Sequence, residues 1–260
     1  MKIVIITQED MFVIPANIQR LIEEPKVTIE EILITDIKGA LTNRKFWFVQ
    51  GFGFWQSAKM ALLIFWTKII NLFDRVTRYK VMSKRRSILT VADKYLIPLR
   101  FIRDPNTLDT LNRLKEIAPD LIVSYSAPSV FKPALLSIPR FGCINLHCSL
   151  LPKYAGLLPS FWVLFKGENK TGATVHYMDD RIDNGKIIIQ EVVSIDPSMS
   201  MYDVIRKTKT VGGQLMVKVV NSLQHGLLPT EPNNAEEGSY YSWPSIEEMK
   251  SFRKKGGRLI

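Results

Sequence analysis

Short runs of β-branched and aliphatic residues alternate along this chain with segments of helical periodicity. Strands are predicted at residues 2–7, 27–37, 99–102, 121–126 and 143–147, and helices at residues 15–24, 106–117, 132–137 and 160–166. Strands that alternate with helices form mainly parallel sheets that helices cover on both faces. The sequence therefore predicts an α/β fold with a Rossmann-like, mainly parallel twisted sheet.

The composition is that of an ordinary soluble protein. The 260-residue chain has 46% apolar and 23% charged residues, which is enough apolar material for one sizeable core. Its two cysteines, Cys143 and Cys148, have the spacing of neither a metal site nor a disulfide framework. The first residues predict a strand and not a signal peptide, so we expect a cytoplasmic protein without a bound metal. The net charge of +10 fits nucleic acid or an anionic membrane, and it fits a phosphorylated substrate or solubility alone equally well.

Residues 46–73 form an apolar segment. Its longest uncharged run, residues 46–58, has 13 residues and is shorter than the roughly 18 that a membrane span needs. On a helix, its larger apolar side chains share one arc; they are Leu62, Phe65, Trp66, Ile69, Leu72 and Phe73. We expect this helix to cover the core. A homodimer face is one alternative, and a helix lying on a membrane surface, helped by the basic residues 84–86, is another.

Three polar residues stand near predicted strand ends in the second half of the chain. Asn145 and His147 lie two residues apart in a strand, so their side chains point to the same face. Ligands of parallel sheets bind at the carboxyl ends of the strands, where Ser126 is also expected. Asp183 follows the strand through residues 175–177 and begins the turn signal Asp183-Asn184-Gly185. It is a candidate catalytic acid, with turn formation as the alternative.

Two motifs containing these residues occur in order. The first is Asn145-Leu146-His147 followed by Ser149-Leu150-Leu151-Pro152, and the second is Gly172-Ala173-Thr174-Val175 leading to Ile182-Asp183-Asn184-Gly185. Together, 36 residues apart from His147 to Asp183, they resemble the formyltransferase family that uses 10-formyltetrahydrofolate. Cys148 departs from the family pattern, which usually has proline there. Because Cys148 adjoins His147, its side chain should face away, and we do not expect it to act as a nucleophile.

The resemblance implies the formyltransferase fold and a role for each of the three polar residues. In this family an amine attacks the formyl carbon of the folate, and the formyl oxygen becomes negative. Asn145 would donate a hydrogen bond to that oxygen. His147 would help to stabilise it as an imidazolium, and Asp183 would pair with His147 and take the proton of the amine.

The resemblance also implies a binding place for the pterin. Predicted cofactor-binding residues are Tyr125, Ser126, Ala127, Pro128, Leu150, Leu151, Pro152 and Ile182. Loop packing is the alternative for the loop and strand-end positions. The first loop, with Gln8, Glu9 and Asp10, is a candidate for substrate contact, and loop structure is its alternative. His176 is a further candidate, with a satisfied surface histidine as the alternative.

The chain divides into two predicted parts. We expect a catalytic domain at residues 1–226, with a helical, apolar and basic insertion at residues 46–92, and a short C-terminal extension at residues 227–260. The loop after the first strand has no glycine, which argues against the glycinamide ribonucleotide branch of the family. The 34 residues after Gly226 are too few for the C-terminal barrel of methionyl-tRNA formyltransferases.

These observations favour an N-formyltransferase that acts on the amine of a nucleotide-linked amino sugar in glycan biosynthesis. The expected partners are 10-formyltetrahydrofolate as co-substrate and a small-molecule amino sugar, without nucleic acid. A methionyl-tRNA formyltransferase, which the basic charge favours, is an alternative. Two others are a formyltetrahydrofolate hydrolase, in which water replaces the amine, and a binding module without activity.

Overall fold

A seven-stranded sheet forms the centre of the protein in a computed structural model that describes residues 1–35, 47–82 and 86–260. The strands are β1 (Lys2–Thr7), β2 (Thr28–Thr35), β3 (Leu99–Ile102), β4 (Leu121–Tyr125), β5 (Cys143–His147), β6 (Ala155–Gly156), β7 (Lys170–Tyr177), β8 (Ile187–Ser194) and β9 (Tyr240–Tyr241). The main sheet has the order β3-β2-β1-β4-β5-β7-β8, and β6 pairs separately with β9. Strands β1 to β5 are parallel, whereas β7 and β8 run antiparallel to their neighbours. The predicted mainly parallel α/β fold is confirmed.

Helices cover both faces of this sheet. The helices of the described ranges are α1 (Ile14–Ile22), α2 (Phe54–Val76), α3 (Ile88–Tyr95), α4 (Leu108–Ile117), α5 (Pro133–Leu136), α6 (Pro159–Phe165), α7 (Met201–Leu223) and α8 (Ile246–Lys254). Residues 47–52 are also helical, and Ala235–Glu237 form a 3-10 turn. Helices α1, α3 and α7 pack on one face of the sheet, and α4 and α5 pack on the other.

Strand β1 shows why both faces carry a core. Ile3 and Ile5 belong to one buried cluster, and Val4 and Ile6 belong to the cluster on the opposite face. Successive side chains of a strand point to opposite faces, so a strand buried on both sides must be apolar throughout. This requirement explains why the strand has no alternating polar positions.

Helix α7 lies close to the strand that carries the candidate catalytic residues. It begins at a capping box, in which the Ser200 hydroxyl accepts from the Asp203 N–H and the Asp203 carboxylate accepts from the Ser200 N–H. A Cβ at Gly212 would lie 2.2 Å from Cδ1 of Leu146 on β5. The absence of a side chain at Gly212 therefore allows α7 to pack directly against β5.

A third apolar cluster ties the C-terminal residues to the body of the protein. Phe52, Phe161 of α6 and Phe252 of α8 are buried together in it. Strand β9 pairs in parallel with β6, which adds backbone hydrogen bonds to this attachment. The residues predicted as a C-terminal extension therefore pack on the elements around β5.

The prediction that residues 46–73 form a core-covering helix is wrong for the apolar arc, although Phe52 before α2 and Met60 of α2 do pack in the third apolar cluster. The helix is present as α2, but its arc of large apolar side chains is exposed, and the residues that α2 buries are Thr67 and Asp74. The opposite side is held to the body, where the Gln56 side-chain oxygen accepts from the N–H groups of Leu259 and Ile260. No helix in the described ranges is both long and apolar enough to cross a membrane. Residues 36, 37, 46 and 83–85, which belong to predicted segments, lie outside the described residues.

Candidate active site

A cavity of about 470 Å³ lies at the carboxyl ends of β4 and β5. Asn145 and His147 of β5 line it, as do Asp183 and Ile182 from the loop between β7 and β8. This is the sheet edge at which α/β folds bind their ligands. The fold thus brings Asp183 next to Asn145 and His147, although 36 residues separate His147 from Asp183 in the sequence.

His147 lies between two hydrogen-bond acceptors. Its Nδ1 is 3.3 Å from Oδ2 of Asp183, and its Nε2 is 2.8 Å from the carbonyl oxygen of Tyr154. Both contacts are satisfied at once when each ring nitrogen carries a proton. The side chain of His147 is 7% exposed, so the surrounding protein determines its orientation.

Asp183 is held by groups from several segments. Its Oδ2 accepts from the Gly156 N–H at 2.9 Å, and its carbonyl oxygen accepts from the Asn233 amide at 2.8 Å. Gly156 has φ +95°, and a Cβ there would lie 2.3 Å from the Tyr241 carbonyl oxygen, so glycine is needed for this contact. Burial opposes ionisation of Asp183, but the charge of His147 and the hydrogen bond of His176 hold the pKa of this carboxyl well below its ordinary value.

Asn145 and His176 form a contact across the antiparallel pair β5 and β7, in which they are register partners. Nδ2 of Asn145 is 3.2 Å from Nε2 of His176, and Nδ1 of His176 is 2.7 Å from the Tyr177 carbonyl oxygen. His176 Nε2 also lies 3.6 Å from Oδ1 of Asp183. Because His176 is buried, the alternative of a surface histidine is wrong. Oδ1 of Asn145 is buried without a hydrogen-bond partner in the described structure.

The predicted cofactor-binding residues divide into two groups. Ser126, Ala127, Pro128 and Ile182 line the cavity. The structure does not bring Tyr125, Leu150, Leu151 and Pro152 to its wall.

Packing explains the position of the second group. Tyr125 is buried in the sheet core, in the same cluster as Ile3 and Ile5. The Leu151 N–H donates to the Thr174 hydroxyl, and its carbonyl oxygen accepts from the Gln190 amide. Leu150 lies against Gly172 of β7. These residues fasten the loop after β5 to the sheet.

In the loop after β1, Gln8 lies at the cavity and Asp10 has a structural role. Gln8 lines the cavity, whereas Glu9 is exposed. Asp10 Oδ1 accepts from the N–H groups of Phe12, Val13 and Ile14 at the start of α1. Its Oδ2 lies 2.7 Å from Lys209 Nζ. With both oxygens engaged, Asp10 fixes the turn that leads into α1 and neutralises Lys209.

The cavity also has lining residues that the sequence analysis missed, among them Arg181, Lys209 and Trp243. Lys209 is joined to Asp10, which is 199 residues away in the chain, so no local pattern marks it. Cys148 lines the cavity as well, contrary to the expectation that it faces away, and burial raises the pKa of its thiol. Within the described ranges, no group of three His, Cys, Asp or Glu side chains could hold a metal ion.

Comparison with known proteins decides the family. Residues 92–220, which contain β5 and the loop with Asp183, match the family model described as formyl transferase. The chain belongs to the formyl transferase family. The predicted membership is confirmed, and with it the formyltransferase fold.

Relatives in this family include enzymes named methionyl-tRNA formyltransferase. That of Clostridioides difficile (strain 630) is 36% identical over 149 residues, which are 55% of this chain and 48% of the relative. That of Ehrlichia ruminantium (strain Gardel) is 32% identical over 179 residues, which are 67% of this chain and 58% of the relative. The chain thus spans about half the length of the curated relatives it matches.

Solved structures of formyltransferases share the fold. A sugar N-formyltransferase from Shewanella sp FDAARGOS_354 has 17% identity and a TM-score of 0.60, over 93% of this chain and 76% of that one. An N-formyltransferase from Helicobacter canadensis, in complex with folinic acid and dTDP-3-aminofucose, has 18% identity and a TM-score of 0.61, over 97% and 80%. The phosphoribosylglycinamide formyltransferase from Bacillus halodurans has 18% identity and a TM-score of 0.60, over 86% and 96%.

Proposed function

We propose that this protein transfers a formyl group from 10-formyltetrahydrofolate to the amine of an amino sugar, in its nucleotide-linked form. One observation carries the proposal. Asn145, His147 and Asp183 converge on one cavity at the carboxyl edge of the sheet in a member of the formyl transferase family. We also propose residues 1–226 as the catalytic domain, to which the segment at residues 227–260 adds Trp243 at the cavity.

The cavity suits a folate. Val130, Met178 and Ile182 give it apolar walls, as a flat heteroaromatic ring requires, and Ser126 adds polar groups. The buried, unpartnered Oδ1 of Asn145 is a polar atom for which a bound molecule can provide the partner. The folate, when bound, supplies a formyl group that an amine can attack.

The side chains around the cavity supply hydrogen bonds and a place for a proton. Asn145 can donate from its amide to an oxygen that gains negative charge, a contribution worth roughly 3–4 kcal/mol to the barrier. Asp183 is ionised, since its pKa is held low, and an ionised carboxylate can accept the proton that an attacking amine loses. His147, whose Nδ1 lies 3.3 Å from Asp183, would bring positive charge to the same place when both of its ring nitrogens carry a proton.

The amino sugar as acceptor is supported by two observations. The Helicobacter canadensis enzyme, whose fold is similar, is in complex with a nucleotide-linked amino sugar. The exposed Arg181 lines the cavity of the present protein and suits a phosphorylated acceptor, because cations attract phosphate oxygens.

Methionyl-tRNA is the second candidate acceptor. The relatives with 31–36% identity are named for it, and the net charge of +10 suits an RNA backbone. In this case the positive charge would act outside the cavity, along the surface that meets the RNA.

Mass spectrometry of a mixed reaction distinguishes these candidates. The purified protein is incubated with 10-formyltetrahydrofolate and a pool of nucleotide-linked amino sugars and methionyl-tRNA, beside a reaction without acceptor. We expect one formylated nucleotide sugar, and its absence with Asp183→Asn. Formylated tRNA alone would replace the amino sugar as acceptor. Formate release without any acceptor would identify a hydrolase, and no product in any arm would contradict formyl transfer.

A further inference from the structure

Helix α2 has an exposed apolar face that the core does not use. We name it the α2 apolar face; it consists of Phe54, Trp55, Leu62, Phe65, Trp66, Ile69, Leu72, Phe73 and Val76. Trp55, Phe65 and Trp66 are 78%, 55% and 53% exposed. At 3.6 residues per turn, the nine side chains share an arc of about 120°. A contiguous exposed apolar surface of this kind indicates an interaction site, whereas the exposed apolar residues of an ordinary protein surface are scattered singly.

Cations border this face on both sides. By the same helical geometry, Lys59 lies at one margin of the arc, and Lys68 and Arg75 lie at the other; all three are exposed. The acid of α2 is Asp74, which is buried. Arg75 lies 3.7 Å from the half-exposed carboxylate of Asp93 in α3. Lys59 and Lys68 therefore supply the positive charge at the margins of the α2 apolar face, and the exposed Arg78 and Lys80 follow α2.

The charge pattern indicates what covers the α2 apolar face. A second copy of the same face would bring Lys59 and Lys68 of both copies together, and the exposed acid beside α2, Asp93, already pairs with Arg75. An anionic lipid surface offers an apolar layer for the aromatic side chains and phosphates for the flanking Lys and Arg. We propose that α2 lies in the plane of an anionic lipid bilayer and docks the protein on its surface.

The attachment of α2 to the body makes this docking relevant to the whole protein. Gln56 accepts hydrogen bonds from the backbone N–H groups of Leu259 and Ile260. These bonds attach α2 to the rest of the protein, so binding through α2 would place the whole protein at the surface. Trp47, in the helical stretch before α2, stacks on Trp243 at 6.0 Å between ring centroids. Trp243 lines the cavity, so the helical stretch that precedes α2 reaches the cavity wall.

Sedimentation with lipid vesicles tests the proposal, and it does not depend on which acceptor is formylated. The full chain is mixed with vesicles of phosphatidylcholine alone and with vesicles containing phosphatidylglycerol. We expect binding to the anionic vesicles at low salt and its loss near 1 M salt, where the Debye length is about 3 Å.

Three variants show whether α2 is the binding element. Phe65→Ser with Trp66→Ser should weaken vesicle binding at least about tenfold for each residue. Lys59→Gln with Lys68→Gln should weaken it about fivefold for each cation. Leu227→Ser, which changes an exposed apolar residue outside α2, is the control and should bind like the parent protein. Circular dichroism verifies that all variants are folded.

Three results would overturn the proposal. One is the absence of binding to anionic vesicles at low salt, and another is binding that the Phe65 and Trp66 changes leave intact. The third is the absence of vesicle binding together with a dimer of the parent protein in sedimentation equilibrium, which the Phe65 and Trp66 changes dissociate. This result would assign the α2 apolar face to a second copy.

Discussion

Nδ1 of His147 lies 3.3 Å from Oδ2 of Asp183, and the same carboxylate oxygen accepts the Gly156 N–H. The loop between β7 and β8 thereby meets the carboxyl end of β5. The charge of His147 and the hydrogen bond of His176 hold the pKa of Asp183 low, so an ionised carboxylate faces the His147 ring at the cavity. This relationship leads to the first prediction.

Asp183→Asn should lower kcat by roughly two to three orders of magnitude, because an amide cannot accept the proton of the amine. Asp180→Asn is the matched control, since Asp180 is an exposed acid of the same loop. Steady-state rates of both variants with the formylated acceptor are the measurement. Equal rates for the two variants would contradict the role of Asp183.

Asn145→Ala should lower kcat by roughly two to three orders of magnitude, as removal of one donor to a developing negative oxygen does. The KM for the folate should change little, because the contact strengthens as the charge develops. Initial rates at varied folate concentration separate kcat from KM. A raised KM with normal kcat would show that Asn145 only binds the co-substrate.

His176→Phe should reduce kcat by up to about a hundredfold, because His176 contacts Asn145 and a small misplacement of a reacting group is costly. We assign His176 as a positioning residue for the Asn145 amide. The readout is a double-mutant cycle, in which His176→Phe adds little loss once Asn145 is alanine. Full additivity of the two losses would refute this coupling.

The buried pair of Asp10 and Lys209 should stabilise the fold over a defined pH range. Burial opposes ionisation of both groups, but their mutual attraction puts the pKa of Asp10 below its ordinary 3.8 and that of Lys209 above its ordinary 10.5. The stabilisation is therefore complete between these two values. It is lost as the pH falls through the folded pKa of Asp10 or rises through that of Lys209.

Asp10→Asn should lower the free energy of unfolding by about 3–5 kcal/mol at neutral pH, because it leaves the Lys209 charge buried and unpaired. Asp10→Asn combined with Lys209→Met should restore part of this loss. Asp109→Asn, at a surface ion pair with Arg100, should cost no more than about 1 kcal/mol. Urea unfolding monitored by fluorescence measures the free energy of unfolding of all three variants. If Asp10→Asn lowered this free energy no more than Asp109→Asn does, the stabilising role of the buried pair would be contradicted.

Sequence periodicity predicts which side chains of a strand or helix share a face, but it does not predict what that face contacts. The two-residue period of a strand is enough to place Asn145 and His147 on one face. Helical periodicity predicts which side chains of α2 share an arc, but it does not say whether that arc meets the core. The exposure of Phe65 and Trp66 depends on how Gln56 and the C-terminal residues hold the other side.

Long-range contacts account for the remaining differences between prediction and structure. Lys209 reaches the cavity because α7 packs on β5 through Gly212, and its partner Asp10 comes from the first loop. Leu151 is turned from the cavity by hydrogen bonds with Thr174 and Gln190 of the neighbouring strands. Neither arrangement has a local signature in the sequence.

Transfer of an isotopic label tests the central claim most directly. 10-Formyltetrahydrofolate carrying ¹³C in the formyl group is incubated with the protein and a nucleotide-linked amino sugar, and the product is examined by mass spectrometry and NMR. We predict that the label appears on the amine nitrogen of the sugar with the parent protein and is nearly absent with Asp183→Asn. Label found in formate only, or equal transfer by the two proteins, would contradict the account.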